Sequence, residues 1–596
     1  MAAPQNNENN RNTLIFVACA MVILIAYQFL VLGPAAKRRE AEQRARAAAA
    51  ALNPAAAGAP GSSVFVSRAQ AIAQSPRVAI DTPALQGSLA LRGGRLDDLY
   101  LKDYRETLAK DSPPVELFRP EGAKQAYFAV TGWAGAPGAP DAHTLWGQAG
   151  GGALSPDHPV TLTYDNGQGL AFTRTVAVDS RYMFTVTDAV ANNGAAPVKV
   201  APFASVQRQG KPQLSQSLII HEGAVGALND TLKLIAFKDW KKTGDFAQDS
   251  IGGWLGVTDK YWLAAVIPGQ RELVKGGFRV SGADGVDVYE AEFTGPARLL
   301  APGSQTTQTT RVFAGAKKVA VLQDYQHALG IPHFDDAVDW GHLWFLTRPV
   351  FWLLEQFHRI TGNFGLSILM LTVVVKAAFF PLANKSYESV SKMKKIAPEV
   401  EAIKKRFDKD PAAQQKATME LYGREKINPV TGCLPQLVQV PVFYALYKTL
   451  FVTIEMRHAP FFGWIRDLSA PDPTSFVNLF GLLPFNPATV PAIGGVLDGP
   501  LHIGLWPILY GVTTWLNTAM NPQPTQDPTQ KLIFQLFPLV FVFTMSHFVV
   551  GVVIYYAWSG ALSALQQYVI MRRYKVQTPI DDIIVRFRRR PAVAIK

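Results

Sequence analysis

The residue whose chemistry most needs explaining is a lysine in hydrocarbon-length sequence. The stretch LSILMLTVVVKAAFFPLANKS, residues 366–386, is long and apolar enough to span a bilayer, yet it carries Lys376 well inside it. An ammonium at mid-span costs about 2.5–3.5 kcal/mol on insertion scales, and somewhat less off centre. In a straight helix Lys376 lies about 12 Å before Asn384, and a snorkelling side chain covers roughly half of that. No apolar tract of the chain offers an Asp or Glu partner. The charge therefore implies water, thinned lipid or a transient acidic ligand.

Other polar residues recur at helical spacing in the apolar tracts. Thr372 and Lys376 are four apart, Gln436 and Gln439 three apart, and Thr513 and Asn517 four apart. Gln535 stands near the start of the last tract, and Tyr555, Ser559, Ser563 and Gln567 form a continuous i, i+4 stripe. Side chains at these spacings share a helix face. Five helices could thus aim polar faces at one wet space. For any single Ser or Thr, an interhelical hydrogen bond is the simpler account; the whole set around a lysine favours a cavity. Lys448, Ser546 and His547 lie towards the opposite ends, where Lys448 and His547 can snorkel.

These residues need spans to hold them. Of the 596 residues, 48% are apolar and only 17% charged, with a net charge of +12. A span needs about 20 mostly apolar residues. The tracts 14–32, 364–383, 433–452 and 501–520 qualify, and 532–571 is long enough for two passes with a reversal near Gly551. That makes six spans. Segment 385–428 holds eleven Lys and Arg, and the tail 572–596 holds eight, whereas 455–500 has only Arg457 and Arg466. Basic loops stay cytoplasmic. Both termini are then inside and residues 34–343 outside. The basic run KRREAEQRAR after the first span argues the other way, but long domains translocate largely regardless of charge. A weakly basic start and a long apolar core favour a retained anchor over a cleaved signal peptide.

The expected organisation is an anchor (1–33), a linker (34–63) and a large all-β domain (64–330), in which VTLTYDNGQGLAFTRTVAVDSRYMFTVTD alternates apolar and polar residues around Asn-Gly turns. Residues 335–363 read as an amphipathic helix along the outer interface, with Trp340, Trp344 and Trp352 as anchors. Spans then alternate with connections: 364–384, a helical hairpin (385–428), 429–454, an outer loop (455–500), 501–520, 532–549, 550–571 and the basic tail. In the hairpin, Met393, Ile396, Val400, Ile403 and Phe407 make an a/d seam, and Asp410-Pro411 starts a second helix. No metal-ligand spacing surrounds His143, His158 or His221, and no phosphate loop is found. The two cysteines, Cys19 and Cys433, imply no disulfide framework. Neither a cofactor nor an enzymatic activity is expected.

Four stretches closely resemble the YidC membrane protein insertase family: NFGLSILMLTVVVKAAFFPLANKSYESVSKMKKIAPEV, KINPVTGCLPQLVQVPVFYALYKTL, APFFGWIRDLSAPDP and VVIYYAWSGALSALQQYVIMRR. The anchor and strand-rich outer domain look like the form found in Gram-negative bacteria. The resemblance implies a multi-pass inner-membrane insertase with a five-helix core and a periplasmic β-supersandwich. It also implies a hydrophilic groove open to cytoplasm and lipid. The family's groove charge is usually arginine; Lys376 takes its place and keeps the charge without the planar fork. Substrate contacts of the family map to Thr372, Tyr555 and Tyr556. The implied partners are nascent membrane proteins, the SecYEG and SecDF translocon and the lipid bilayer; the basic hairpin and tail are candidate ribosome contacts, and a functional monomer is expected. Two features depart from the pattern: Val549-Val550-Gly551 stands where Pro-Ser-Gly is usual, and 476–499 lengthens an outer loop.

Two other classes compete on the residues alone. An anion transporter or channel would use Lys376 as its binding charge but should show inverted repeats, which the spans lack. A carbohydrate-binding sensor would use the β-domain, on fold analogy only.

Overall fold

The computed structural model describes residues 65–212, 220–283, 286–408, 410–428, 434–490, 493–499, 501–521 and 528–581. The expected anchor and linker and most of the basic tail lie outside these residues, as does Cys433. The chain divides into two compact units. One spans Ala59–His342 with Val452–Glu455; the other contains Leu343–Phe451 and Met456–Lys596.

The first unit is built on two antiparallel sheets. In one, the strands starting at residues 77, 85, 95, 127, 198, 286, 273 and 246 lie side by side, with short strands from 114 and 298 added. In the other the order is 231, 223, 254, 262, 305, 183, 170, 160 and 147. Alternation in the sequence becomes alternation in burial: strand Leu170–Val178 buries every second residue, as one face against a core requires. At its start, Gly167 takes a φ of +68°, while Asn166 Oδ1 accepts from the Gln168 and Leu170 amides. The Asn-Gly pair thus works as a turn by its side chain and its left-handed glycine. Phe237 and Trp240 project from helix Phe237–Thr243 and are wholly buried against Phe278 and Tyr289, with ring centroids 5.0–5.8 Å apart.

The sheets are also joined by polar contacts. Arg174 and Asp188 face each other across neighbouring strands and are 3% and 5% exposed, with Nε 2.6 Å from Oδ1. The same guanidinium donates to the Thr131 carbonyl of the opposite sheet and to the carbonyl of Gly94, in the turn before strand Arg95–Arg105 of that sheet, and Thr131 Oγ1 donates to Asp188. Tyr127 donates across the core to the Val257 carbonyl at 2.9 Å.

The Trp340 anchor assigned from sequence is corrected here. The segment after helix Val319–Leu329 folds onto the β unit through Trp254, which meets Phe334 edge-on and donates to the Pro332 carbonyl. Trp340 is 3% exposed, and its indole N–H is satisfied by the Asp335 carbonyl. An indole with its polar end paired inside the protein does not sit in a headgroup layer. The helix expected over 335–363 covers only Trp344–Thr361, on which Trp344 and Trp352 are exposed.

In the second unit we label nine helices: α1 (Trp344–Thr361), α2 (Phe364–Ala378), α3 (Phe380–Lys395), α4 (Ala397–Arg406), α5 (Pro411–Arg424), α6 (Leu434–Val452), α7 (Leu505–Met520), α8 (Pro528–Met545) and α9 (Val550–Arg573). Among the described residues no single helix is both long and apolar enough to cross a membrane. The pair α2 and α3 meets that test only together, bent by 67°. The straight span expected over 364–383 is therefore broken. Pro381 lies in the first turn of α3; proline lacks an N–H and its ring collides with the carbonyl four residues back, so α2 stops at Ala378. The hairpin seam is broken in the same way at Ile396, ahead of Pro398. Its residues Met393, Ile396, Val400 and Ile403 nevertheless pack on Leu421, Tyr422 and Ile427; Phe407 stays outside this cluster. Asp410 caps α5 by accepting from the Ala413 amide at 3.0 Å.

The reversal between α8 and α9 falls at 546–549 rather than at Gly551. Val549 holds a φ of −57°, close to the angle proline enforces. The first amides of α9 lack intrahelical acceptors; Val550 and Gly551 donate instead to the Ala470 and Leu468 carbonyls at 2.7 and 3.1 Å. Lys448 is 2% exposed rather than snorkelled.

Two outcomes follow for the β unit. Arg174→Ala leaves Asp188 buried and unpaired and should cost about 3–5 kcal/mol, read as a lowered urea midpoint by tryptophan fluorescence; an unchanged midpoint contradicts the bridging role. His333 contacts Asp336 at 2.9 Å and Asp230 at 3.1 Å, and the Asp336 hydrogen bond raises its pKa above the ordinary value. The charged form favours the fold, so the contribution is full below the unfolded pKa of about 6.5. It disappears as pH rises through the folded value. His333→Gln should therefore lower the unfolding midpoint at pH 5.5 and leave it nearly unchanged at pH 8.5.

Candidate functional site

A cavity of about 190 Å³ opens between α2, α3, α6, α7 and α9. Its polar wall is supplied by Lys376, Ser386, Tyr387, Gln439, Asn517 and Asn521, and along α9 by Tyr556, Ser559, Ser563 and Gln567. Lys376 is the one charged residue among its described lining residues. The ammonium donates to Ser563 Oγ at 2.6 Å, a neutral partner that orients the charge without cancelling it. Because α2 ends at Ala378, Lys376 lies in its last turn, where the partial negative charge of the helix end favours a cation.

On α9, Ser559, Ser563 and Gln567 line the cavity, and Gln567 donates to Asn521 Oδ1 at 2.9 Å. Tyr555 lies behind the wall, 1% exposed, and its hydroxyl accepts from Gln439 Nε2. The neighbouring Tyr556 faces the cavity, its ring 5.4 Å from that of Tyr510.

Besides Tyr555, two expected residues do not line the cavity. Thr372 is fully buried and donates to the Ile368 carbonyl at 2.7 Å. A buried threonine satisfied by its own helix offers a ligand nothing. Thr513 likewise donates to the Tyr510 carbonyl at 2.9 Å. Asn517 lines the cavity but also donates to the Gly560 carbonyl of α9 at 3.0 Å. Gln436 and Gln535 lie on α6 and α8, with side chains outside the described residues.

Ser386 and Tyr387 escaped the sequence reading, which put them in the cytoplasmic hairpin. The bend at Phe379 carries the start of α3 under Lys376 instead. Pro381 in the middle of the apolar run was the available signal.

Close approach of α7 and α9 fixes the wall. A Cβ on Gly560 would lie 2.6 Å from Thr513 Oγ1 and 3.0 Å from Thr513 Cβ, so a side chain there forces Thr513 or the helices themselves to shift.

Residues 77–353 match a family model described as the YidC periplasmic domain, and 356–578 match one described as 60Kd inner membrane protein. The membrane protein insertase YidC of Caulobacter vibrioides (strain NA1000 / CB15N) is 55% identical over 618 residues, covering 98% of this chain and 99% of the relative. That of Bradyrhizobium diazoefficiens is 45% identical over 609 residues, covering 96% and 98%. A crystal structure of an active YidC insertase with its first transmembrane domain resolved is 17% identical, covers 83% of this chain and 94% of that one, and superposes with a TM-score of 0.35. A helical unit with a charged polar cavity, joined to an antiparallel β unit, fits a class of inner-membrane proteins with a large periplasmic domain. The chain belongs to the YidC family of membrane protein insertases.

Gly560→Leu should push α7 and α9 apart at a cost of about 1–3 kcal/mol, read as a lower thermal midpoint in detergent micelles. Gly423→Ala, with open space around the new Cβ, should be neutral or stabilising by up to about 1 kcal/mol. Equal effects of the two would refute the close-contact role.

Proposed function

We propose that this protein inserts integral membrane proteins into the inner membrane and helps them fold, using the Lys376 cavity as a positively charged groove open to cytoplasm and lipid. The observation that carries this reading is a cation held at a polar wall by a neutral hydroxyl, with no carboxylate among the described lining residues. A nascent segment places its short acidic or polar tail beside Lys376, which lowers the desolvation barrier for crossing half the bilayer. Its apolar part then moves sideways into lipid, driven by burial of about 20 residues. No bond is made or broken, so no cofactor is required.

In this reading the bent pair α2–α3 and helices α6, α7, α8 and α9 supply five spans, with a sixth in residues 14–32, and the β unit is the family's periplasmic supersandwich. Both termini are cytoplasmic. Helix α7 has 16 residues, about 24 Å against a hydrocarbon core of about 30 Å. Such a mismatch thins the bilayer and shortens the path a polar tail must cross. Trp344 and Trp352 anchor α1 in the outer interface. The chain works as a monomer, alone or with SecYEG and SecDF, and the basic hairpin and tail meet the ribosome.

The test is insertion of a client with an acidic amino-terminal tail into vesicles containing the purified protein. Lys376→Arg should keep most of the activity. Lys376→Glu should reduce it by tenfold or more, the equivalent of about 1.4 kcal/mol in the barrier. A client with a neutral tail should be far less affected. Normal insertion of the acidic client by the Glu variant would overturn the electrostatic role.

A further inference from the structure

A second cleft, of about 360 Å³, lies between α2, α3 and α9. It shares Lys376 with the groove, but its other residues are different. Its apolar part is formed by Val373, Phe380, Leu565 and Val569, which are 44–58% exposed. Its polar residues besides Lys376 are Asn384, Gln566 and Arg573. Arg573 is ten residues beyond Ser563 on α9, about 15 Å along the axis from the level of Lys376.

Two features of these polar residues are unexplained by the fold. Asn384 Oδ1 and Gln566 Nε2 are buried atoms without a hydrogen-bond partner among the described residues. An unmet donor and an unmet acceptor lining one cleft each carry a desolvation penalty. Arg573 has no carboxylate partner among the described residues, and no acidic residue lines the cleft. The lining thus combines positive charge, one free donor and one free acceptor with exposed apolar side chains, of which Leu565 and Val569 stand about 6 Å apart along α9.

We propose that this cleft binds one anionic glycerophospholipid with a hydroxyl-bearing headgroup, of the phosphatidylglycerol type. Arg573 takes the phosphate, as guanidinium forks do. Gln566 Nε2 donates to a phosphate or ester oxygen, and Asn384 Oδ1 accepts from a headgroup hydroxyl. An acyl chain lies over Val373, Phe380, Leu565 and Val569. A choline headgroup offers no donor to Asn384 and brings a second positive charge to a positive site. The cleft meets the groove only at Lys376, and the residues assigned to the headgroup, Asn384, Gln566 and Arg573, do not line the groove.

The test is native mass spectrometry of the full-length protein from detergent, titrated separately with phosphatidylglycerol and phosphatidylcholine. One phosphatidylglycerol should be retained about tenfold more tightly than phosphatidylcholine, and Arg573→Gln should remove that preference. Arg572→Gln alters a neighbouring arginine that instead pairs with Asp581, and should leave the preference intact. Asn384→Leu replaces an unpaired buried acceptor, so the thermal midpoint should hold or rise while phosphatidylglycerol affinity falls. Equal retention of the two lipids, an equal loss in Arg572→Gln, or undiminished binding by Asn384→Leu would each overturn the proposal. Displacement of the bound lipid by glycerol 3-phosphate would also do so, since it would show a site for a soluble phosphate.

Discussion

Proline lacks a backbone N–H and its ring crowds the preceding turn; helices of this unit run on through Pro349, Pro441 and Pro538, but at Pro381 the helix breaks, and that break shapes the space around the cavity. Pro381 ends α2 at Ala378 and sends α3 off at 67°. Without that bend, Ser386 and Tyr387 would continue along the axis of α2, far from Lys376. With it, they turn back to form the wall beneath the ammonium. The same break puts Lys376 at a helix end, where the backbone's own dipole helps to hold a cation. One residue thus accounts for the position of the charge, the polar wall below it and the shape of the space between.

The cavity is then kept open by contrasting solutions on its sides. Between α7 and α9, Gly560 lies against the Thr513 side chain, and Asn517 donates to the Gly560 carbonyl. Elsewhere polar side chains are held by one another: Gln439 by Tyr555, Gln567 by Asn521, Ser563 by Lys376. In the first two pairs both partners are neutral; in the third a neutral hydroxyl accepts from the ammonium. Polar networks satisfied in this way are rigid, so the wall need not reorganise around an incoming segment.

The β unit was legible in the sequence because its signals are local: period-two alternation and Asn-Gly turns decide strands without reference to anything distant. The stripe on α9 was legible for the same reason. The bent span was misread because hydropathy sums over a window and is blind to where one proline stands in it. Thr372 and Thr513 were misassigned because helical spacing gives a face but not a partner, and each hydroxyl found an acceptor in its own helix. Trp340 shows the limit of compositional rules: a tryptophan near a span can equally be a core residue of the neighbouring domain. The buried Arg174–Asp188 pair had no signal at all, since it depends on register between strands and on the opposite sheet.

The start of α9 has a meaning beyond its hydrogen bonds. There the carbonyls of Leu468 and Ala470 close the helix end, and beside it Ile368, Leu371, Leu446, Leu450 and Val552 form a continuous dry core. The helices that bear this cluster, α2, α6 and α9, are the same ones that line the polar cavity, each with its packed residues towards one end and its cavity residues towards the other. A substitution that loosens the cluster therefore shifts three walls of the cavity at once.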